Sequence, residues 1–151
     1  MKEKLLDLLR GRGHKITSQR RAIIDALLAG GHFVTAQQIL DIVKQTHPDV
    51  SLDTVYRNLS LLMELGAVDE IRTPNRDGNL FEVLTTGHHS HLVCLTCGRA
   101  KCLPFCPIKS SDMEQAGVDG FTVTSHSLEF YGYCRECQTS GAGEGFSCCT
   151  K

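Results

Sequence analysis

Two Cys-x-x-Cys pairs could bring four thiol groups to one metal ion. The first is Cys94-Leu-Thr-Cys97 and the second is Cys134-Arg-Glu-Cys137, with residues 98–133 between them. Four cysteines in two such pairs are typical ligands of a closed tetrahedral zinc site, and zinc that closes a long loop contributes to folding. The alternative is two redox motifs, but neither pair begins a helix in a β-α-β pattern. We therefore predict a structural zinc site formed by these four cysteines.

Histidines immediately before the first cysteine pair indicate a second metal site. His89 and His91 are two residues apart on a predicted strand, so they face the same side and can share one ion, whereas His88 faces the other side. Glu82 lies seven residues before His89 and could reach that ion across a short linker. His32 precedes a predicted helix, where a loop or capping role is the alternative to metal binding. For the histidine run itself, exposed side chains without a metal are the alternative.

Composition limits the class of protein. The chain has 151 residues, of which 41% are hydrophobic and 22% are charged, as in a soluble globular protein of one or two domains. No apolar run approaches the roughly 20 residues that a membrane span needs. The N-terminus leads into an amphipathic pattern rather than a signal peptide. We therefore predict a cytoplasmic protein with no membrane partner, in which thiols stay reduced.

The formal net charge of −1 conceals a local excess of positive charge. Residues 1–21 contain seven Lys or Arg and two Asp or Glu, whereas residues 82–151 contain five and seven. A basic segment on a mildly acidic body is typical of a protein that contacts nucleic-acid phosphates at one end. A solvated helix face is the alternative.

The distribution of cysteines predicts two domains, because all eight lie at or beyond residue 94. The predicted domains are 1–84 and 85–139, followed by a disordered tail rich in Gly and Ser at 140–151. Helices followed by a hairpin make the first domain a winged helix-turn-helix. Its helices run from about Leu5 to Gly11 or Gly13, from a Thr17 cap to Gly30, from a Thr35 cap to Pro48 and from a Ser51 or Asp53 cap to Gly66, and its strands cover 67–73 and 79–84.

The second domain is predicted to mix strands with one helix, so that the chain as a whole is α+β. Strands are expected at 91–95 and 99–103, a helix at about 108–116 and a longer strand at 121–133. The extra thiol of Cys106, which precedes Pro107, is expected to pack at the start of that helix.

Residues 51–65 are predicted to form the helix that reads DNA. Residues near the N-terminal end of such a helix reach base edges, so Arg57 could pair with guanine and Tyr56 could contact thymine methyl groups or a phosphate. Lys15 and Arg20, near the start of the second helix, are placed to meet phosphates or a minor groove. An amphipathic helix that is merely polar on one side is the alternative.

Together, these motifs resemble the ferric uptake regulator family of metal-dependent repressors, which includes iron, zinc, manganese and peroxide sensors. The resemblance covers nearly all of residues 1–137. The motifs that carry it are Thr17-Ser18-Gln19-Arg20-Arg21, Ser51-Leu52-Asp53-Thr54-Val55-Tyr56-Arg57-Asn58-Leu59, Phe81-Glu82, the run from His88 to Gly98 and the run from His126 to Cys134.

The resemblance implies a winged-helix DNA-binding domain followed by an αβ dimerisation domain with a structural four-cysteine zinc site. It implies a homodimer that binds an inverted-repeat DNA operator when a regulatory metal is bound. The regulatory ligands would be His32, Glu82, His89 and His91. Tyr56 and Arg57 would read bases in the major groove, and Lys15 would contact the minor groove.

Three departures from the family pattern are specific to this chain. Where the family usually has a last carboxylate ligand, this chain has Cys102, whose soft thiolate favours zinc; a buried cysteine without a ligand role is the alternative. A further family site would use His88 and His126 with two carboxylates, but Ser90 and Lys109 occupy those carboxylate positions, so we expect it to be absent or weak. The remaining departures are the extra thiols Cys106, Cys148 and Cys149.

We therefore predict a dimeric, metal-responsive repressor of zinc or iron uptake genes that has no small-molecule substrate and is not an enzyme. Its cofactors would be structural Zn²⁺ and a second, regulatory divalent metal, Zn²⁺ or Fe²⁺, with a slight preference for zinc. The alternatives are a peroxide- or redox-sensing repressor of the same family and a zinc-stabilised interaction module that does not bind DNA.

Overall fold

The computed structural model describes residues 1–74, 78–84, 89–103, 105–118, 120–124 and 126–139. The chain divides into two compact units, Met1–Gly87 and His88–Lys151. The domain limits at 84/85 and 139/140 stay predictions, and the predicted tail at 140–151 lies outside the described residues. Among the described residues, no helix is both long enough and apolar enough to cross a membrane.

Local capping interactions start three helices of the first unit. In the described part of that unit, the helices are α1 (Lys2–Gly11), α2 (Ser18–Ala29), α3 (Ala36–Val43) and α4 (Leu52–Glu64). Thr17, Thr35 and Ser51 are the N-caps of α2, α3 and α4, and each side-chain oxygen accepts a hydrogen bond from a backbone N–H of the first turn. Thr35 and Gln38 form the predicted capping box. Of the two caps considered for α4, the structure uses Ser51.

Helix α3 ends earlier than predicted, at Val43 instead of Pro48. The backbone N–H groups of Gln45 and Thr46 bond to the carbonyls three residues earlier, at 3.2 and 3.1 Å, so the last turn tightens. Proline disfavours helical backbone at the residue before it, and the chain therefore leaves the helix ahead of Pro48.

A three-stranded antiparallel sheet completes the first unit. Its strands are β1 (Val34–Thr35), β2 (Val68–Ile71) and β3 (Leu80–Val83), in the order β1-β3-β2. Strands β2 and β3 lie within the predicted wing hairpin; the loop residues 75–77 lie outside the described residues. Strand β1 was not predicted, because two residues are too short to show a period. It pairs Val34 with Phe81 and so ties the start of α3 to the wing.

The second unit is built around another three-stranded sheet. The strands are β4 (Ser90–Cys94), β5 (Ala100–Leu103) and β6 (Glu129–Gly132), in the order β5-β4-β6. Strand β4 runs antiparallel to β5 and parallel to β6. Two short helices, α5 (Ser110–Ala116) and α6 (Arg135–Thr139), belong to the same unit.

The predicted long strand at 121–133 is wrong in extent. Only Glu129–Gly132 form a strand among the described residues of that segment. Strand β4 ends at Cys94, where the cysteine knuckle begins, and it offers β6 a pairing edge of only four residues, from His91 to Cys94. The prediction also missed α6, whose five residues are too few to show a helical period.

The two units differ greatly in the size of their apolar cores. Among the described residues, twenty hydrophobic side chains are buried in the first unit, but only Val93, Cys94 and Cys137 are buried in the second. The large core of the first unit holds the inward face of α4, including Val55, Leu59 and Leu62. A unit with such a small core needs another source of stability, such as a metal site or a partner chain.

The cap of α4 can be tested by comparing two serines of this region. Replacing Ser51 with Ala removes the acceptor of the Thr54 N–H bond (3.2 Å), and we expect it to lower the free energy of unfolding by about 1 kcal/mol. Ser60→Ala, at an exposed position inside the same helix, is the matched control and should leave stability nearly unchanged. Urea unfolding followed by far-ultraviolet circular dichroism measures both. Equal effects of the two substitutions would contradict the assigned cap.

Candidate metal centres and recognition helix

The four cysteines predicted to bind zinc come together in the second unit. Their sulfur atoms all lie within 4.8 Å of one another. Cys94 ends β4, Cys97 follows in the knuckle, Cys134 precedes α6 and Cys137 lies within it. Cys94 and Cys137 are buried, Cys134 is half-buried and Cys97 is exposed. The cluster therefore joins the end of the central strand to the C-terminal helix.

Distances between the sulfur atoms fit zinc. The Sγ atoms of Cys97 and Cys134 lie 3.8 Å apart. With Zn–S bonds of about 2.3 Å, the edge of a tetrahedron of sulfur atoms is about 3.8 Å, whereas a disulfide bond is about 2.05 Å long. Four thiols at this spacing supply a soft, closed donor set, which is the set that a structural zinc ion prefers.

The buried thiols of the cluster differ in acidity. Burial opposes ionisation of Cys94, but hydrogen bonds from backbone N–H groups, including that of Cys134 at 3.4 Å, outweigh burial and lower the pKa of Cys94 to about 6. Hydrogen bonding with the thiol of Cys134, together with burial, raises the pKa of Cys137 to about 12. The protein thus favours one thiolate and resists another. A doubly charged cation at the centre would stabilise all four thiolates.

An ion pair braces the two halves of the cluster. The guanidinium of Arg99, two residues after Cys97, donates hydrogen bonds of 2.8 and 2.7 Å to the two carboxylate oxygens of Glu136, which lies between Cys134 and Cys137. Hydrogen bonding and charge from Glu136 raise the pKa of Arg99 beyond its usual range, and the nearby sulfurs of Cys134 and Cys97 add to this effect. Arg99 in turn lowers the pKa of Glu136, so the pair is intact at neutral pH and is lost only as acid protonates the carboxylate. The sequence analysis did not identify Arg99 or Glu136, because no motif marks the residues that surround the ligands of a metal site.

We expect Arg99→Gln to speed zinc loss to a chelator by about tenfold, because it removes positive charge beside two thiolates as well as the brace. Glu136→Gln removes only the brace and should have a smaller effect. Lys101→Gln, an exposed position two residues further along the chain, is the control. Zinc release is followed with a colorimetric chelator at neutral pH. Arg99→Gln releasing zinc at the wild-type rate would show that the pair has no role at the site.

A second ligand cluster lies on the β4–β5 pair of the same unit. His91 and Cys102 are paired across the two strands, and the rings of His89 and His91 are 4.8 Å apart between centroids. The ligand atoms of His89, His91 and Cys102 lie within 4.8 Å of one another. His91 is buried, whereas His89 and Cys102 are half-buried. The structure thus brings Cys102 to the two histidines, and two imidazoles with a thiol are ligands that suit zinc.

The other two predicted regulatory ligands meet in the first unit. The Nε2 atom of His32 lies 2.9 Å from the Oε1 atom of Glu82, whose side chain is only 2% exposed, whereas that of His32 is 60% exposed. Strand β1 explains the encounter, because it begins two residues after His32 and pairs with β3, the strand that carries Glu82. A buried carboxylate beside an imidazole can hold a divalent cation.

Helix α4 presents the predicted base-reading residues to solvent. Tyr56 is 41% exposed and its ring packs edge-on against Phe81 of β3, with centroids 6.2 Å apart. The Arg57 side chain is 79% exposed and lies 2.8 Å from the carboxylate of Asp53, one helical turn earlier. The wing therefore supports the tyrosine, and an ion pair orients the arginine.

The two other predicted DNA contacts lie near the start of α2. Lys15 is exposed in the segment between α1 and α2. Arg20 is half-buried, and its guanidinium bonds to Asn58 and to the Lys15 carbonyl. Part of the positive charge of residues 1–21 is already paired within the protein, since Lys2 lies 2.6 Å from Asp25 and Arg10 lies 2.7 Å from Asp7.

The extra thiol of Cys106 has a partner that sequence reasoning did not foresee. Cys106 does not start α5, which begins at Ser110; its Sγ atom lies 3.1 Å from the Nε2 atom of His126. Ser90, at a position where the family was expected to have a carboxylate, is fully buried. His88, Cys148 and Cys149, for which the sequence analysis made predictions, lie outside the described residues.

Comparison with known proteins assigns the family. The model of the ferric uptake regulator family matches residues 11–131. The chain belongs to the ferric uptake regulator family. The ferric uptake regulation protein of Staphylococcus aureus is 32% identical over 135 residues, which cover 88% of this chain and 95% of that protein.

Solved structures of regulators in this family share the fold. The Vibrio cholerae ferric uptake regulator is 30% identical, with a TM-score of 0.61 over 85% of this chain and 98% of that one. The Helicobacter pylori regulator, reported to have three functional metal binding sites, has a TM-score of 0.70 over 91% of this chain and 94% of that one; at 24% identity it supports the fold alone. The predicted α+β fold is confirmed.

Membership of the ferric uptake regulator family also gives the general function. Its members are metal-responsive transcriptional repressors that bind DNA as dimers, and they are not enzymes. The predictions of a metal-binding repressor and of no enzymatic activity are therefore confirmed at the level of the family.

Proposed function

We propose that this protein is a cytoplasmic homodimer that represses metal-uptake genes by binding an inverted-repeat operator when a regulatory metal, by preference zinc, is bound. The observation that carries the proposal is that each unit has candidate ligands in addition to the four-cysteine cluster: His89, His91 and Cys102 within the second unit, and His32 with Glu82 within the first. The four-cysteine cluster alone can serve as the structural zinc site, so the additional ligands are available to bind a regulatory metal.

The proposed regulatory site takes its ligands from both units of the chain. When bound, the metal would supply a link between a DNA-binding unit and a dimerisation unit. Ligands shared in this way favour one relative arrangement of the units over others, and metal affinity then becomes DNA affinity. Operator spacing matters because the recognition helices of a dimer must meet successive major grooves.

The nature of the ligands favours zinc as the sensed ion. Cys102 supplies a thiol where the family pattern has a carboxylate, and it is paired in register with His91. Thiolate and imidazole ligands suit zinc, whereas manganese prefers sites rich in oxygen. Glu82 and the histidines could serve zinc or iron, so Cys102 decides the preference.

The proposed DNA contacts are Arg57 with guanine, Tyr56 with thymine methyl groups or phosphate, and Lys15 with the minor groove. The exposure of Arg57 and Tyr56 on α4 supports this assignment, as does the burial of the opposite face of that helix. The sequence also predicts Arg20 as a DNA contact, but its guanidinium is bound to Asn58 and to the Lys15 carbonyl, so Arg20 is not among the contacts proposed here.

An exposed apolar face of the second unit supports the proposed dimer. Leu92 of β4 and Phe130 of β6 are partners in register, and they are 41% and 40% exposed. With so few buried side chains of its own in the described residues, this unit gains an apolar interior if a second copy covers that face.

The proposal predicts metal-dependent operator binding by the wild-type protein. Anaerobically purified protein should contain two metals per chain, and removal of the more weakly held one should abolish binding to a duplex selected from a random pool. Separate titration with Zn²⁺, Fe²⁺ and Mn²⁺ should restore binding at the lowest free concentration for Zn²⁺. Arg57→Ala should weaken binding about tenfold or more, because a bidentate guanine contact is lost, while Lys109→Ala in the second unit should not. One zinc per chain with binding restored by Fe²⁺ alone would reject the zinc preference.

The role of Cys102 has its own test. Cys102→Asp restores a carboxylate ligand, and we expect it to lower the zinc affinity of the second site at least about tenfold while weakening iron binding less. Cys106→Ser, which removes a thiol outside the cluster, is the control. Competition with chelators of known affinity gives both constants. An unchanged zinc affinity in Cys102→Asp would exclude Cys102 as a ligand.

A peroxide-sensing repressor is the second candidate function, and the contact of the Cys106 thiol with His126 favours it, because a thiol held 3.1 Å from an imidazole is a candidate site of oxidation. The two functions separate in one assay: an oxidant sensor leaves DNA on addition of peroxide while its metals stay saturating, and a metal sensor does not.

A further inference from the structure

The Arg20 side chain joins two parts of the first unit that are far apart in sequence. Its Nε atom donates a hydrogen bond of 2.8 Å to the Oδ1 atom of Asn58 on α4. Its Nη1 atom donates a bond of 2.5 Å to the carbonyl oxygen of Lys15, in the segment before α2. One guanidinium therefore connects residues 12–17, which we call the Lys15 segment, to the recognition helix α4. We refer to Arg20, Asn58 and the Lys15 carbonyl as the Arg20 bracket.

Each end of the bracket is itself held in place. The backbone N–H of Arg20 bonds to the Thr17 cap at 3.1 Å, which fixes Arg20 on the first turn of α2. Asn58 is only 9% exposed, and its Nδ2 atom donates a bond of 2.8 Å to the Thr54 carbonyl, one turn earlier in α4. Both polar atoms of the Asn58 amide are thus used, and the amide oxygen is aimed at Arg20. A buried side chain with this geometry is specified for its hydrogen bonds.

The Lys15 segment needs such a restraint. It follows Gly11 and includes Gly13, whose φ of +78° lies in the left-handed region, so the backbone there is intrinsically permissive. A long, exposed lysine on a permissive segment would lose much conformational entropy on binding DNA. Fixing its carbonyl against α4 removes part of that loss before DNA arrives.

We propose that Arg20 is a positioning residue, which sets the Lys15 segment relative to the base-reading residues of α4, and is not itself a phosphate contact. The inference rests on the proposed DNA-binding function. It explains why an arginine is present, since a planar guanidinium can hold an amide oxygen and a backbone carbonyl in fixed directions, whereas a lysine ammonium acts as a point charge.

The proposal separates charge from geometry, and matched variants test it. Arg20→Lys keeps the charge and loses the bracket, and Asn58→Ala removes an acceptor of the bracket without changing any charge. Both should weaken binding of the metal-loaded, full-length protein to the selected duplex by about tenfold. Arg21→Lys, at the exposed neighbouring position, is the control and should bind as the wild type does. Arg20→Lys with wild-type affinity would overturn the proposal, because a phosphate contact needs only the charge.

A double-mutant cycle with Lys15 supplies the second criterion. If the bracket acts through Lys15, Lys15→Ala should weaken binding strongly in the wild type and less than about twofold in the Asn58→Ala background. Effects that multiply would overturn the proposal. Zinc content and thermal unfolding identify any variant that has lost its fold. If Asn58→Ala does not fold, the binding affinity of Arg20→Lys, whose side chain is only half-buried, tests the proposal.

Hydrogen exchange of the DNA-free protein distinguishes failure of this inference from failure of the proposed function. Amides of residues 13–17 should exchange faster in Arg20→Lys and Asn58→Ala than in the wild type. If the wild type binds no duplex in a metal-dependent manner, the proposed function is wrong. The exchange rates of residues 13–17 still test whether the Arg20 bracket restrains the Lys15 segment. Unchanged exchange in both variants would reject it.

Discussion

The meeting of four cysteine sulfur atoms at one point is the constraint on which the second unit depends, because one cation bound there would relieve the mutual repulsion of their thiolates. Only three hydrophobic side chains are buried among its described residues, and two of them, Cys94 and Cys137, belong to the cysteine cluster. The cluster lies where β4 ends and α6 begins, so β4, which carries His91 and directly follows His89, is held at the end opposite to those histidines. The cysteine cluster and the proposed regulatory histidines therefore lie at opposite ends of one strand.

The first unit follows a different physical logic. Its large apolar core fixes the helices, and polar side chains then refine their positions. Strand β1, of only two residues, brings His32 to Glu82. The Arg20 bracket connects α2 to α4. In both cases a small polar or backbone interaction determines where a functional side chain lies, whereas the core determines only that the helix or strand exists. Such interactions contribute little to the free energy of unfolding and much to geometry.

Local signals in the sequence predicted the parts of the molecule that local physics decides. The caps Thr17, Thr35 and Ser51 and the two Cys-x-x-Cys pairs depend on residue type and short spacing, and the sequence was sufficient to identify them. The extent of β6, by contrast, depends on how much of β4 is available for pairing. The contacts of Arg20 with Asn58, of Arg99 with Glu136 and of Cys106 with His126 join residues 20 to 38 positions apart, and no period or motif encodes them. The placement of Cys102 opposite His91 likewise required the strand register.

The Asp53–Arg57 pair on α4 has a consequence for how DNA would be searched. Both side chains are largely exposed, and an exposed pair one helical turn apart contributes only about 0.3–0.5 kcal/mol. A bidentate contact with guanine is worth about 1–3 kcal/mol and easily replaces it. A single screened phosphate on arbitrary DNA offers a gain closer to the value of the pair itself. If Arg57 reads guanine as proposed, Asp53 would compete with DNA for its guanidinium: it would hold Arg57 during encounters with unrelated sequence and release it where a guanine is presented. One carboxylate would then shorten the time spent on the wrong DNA.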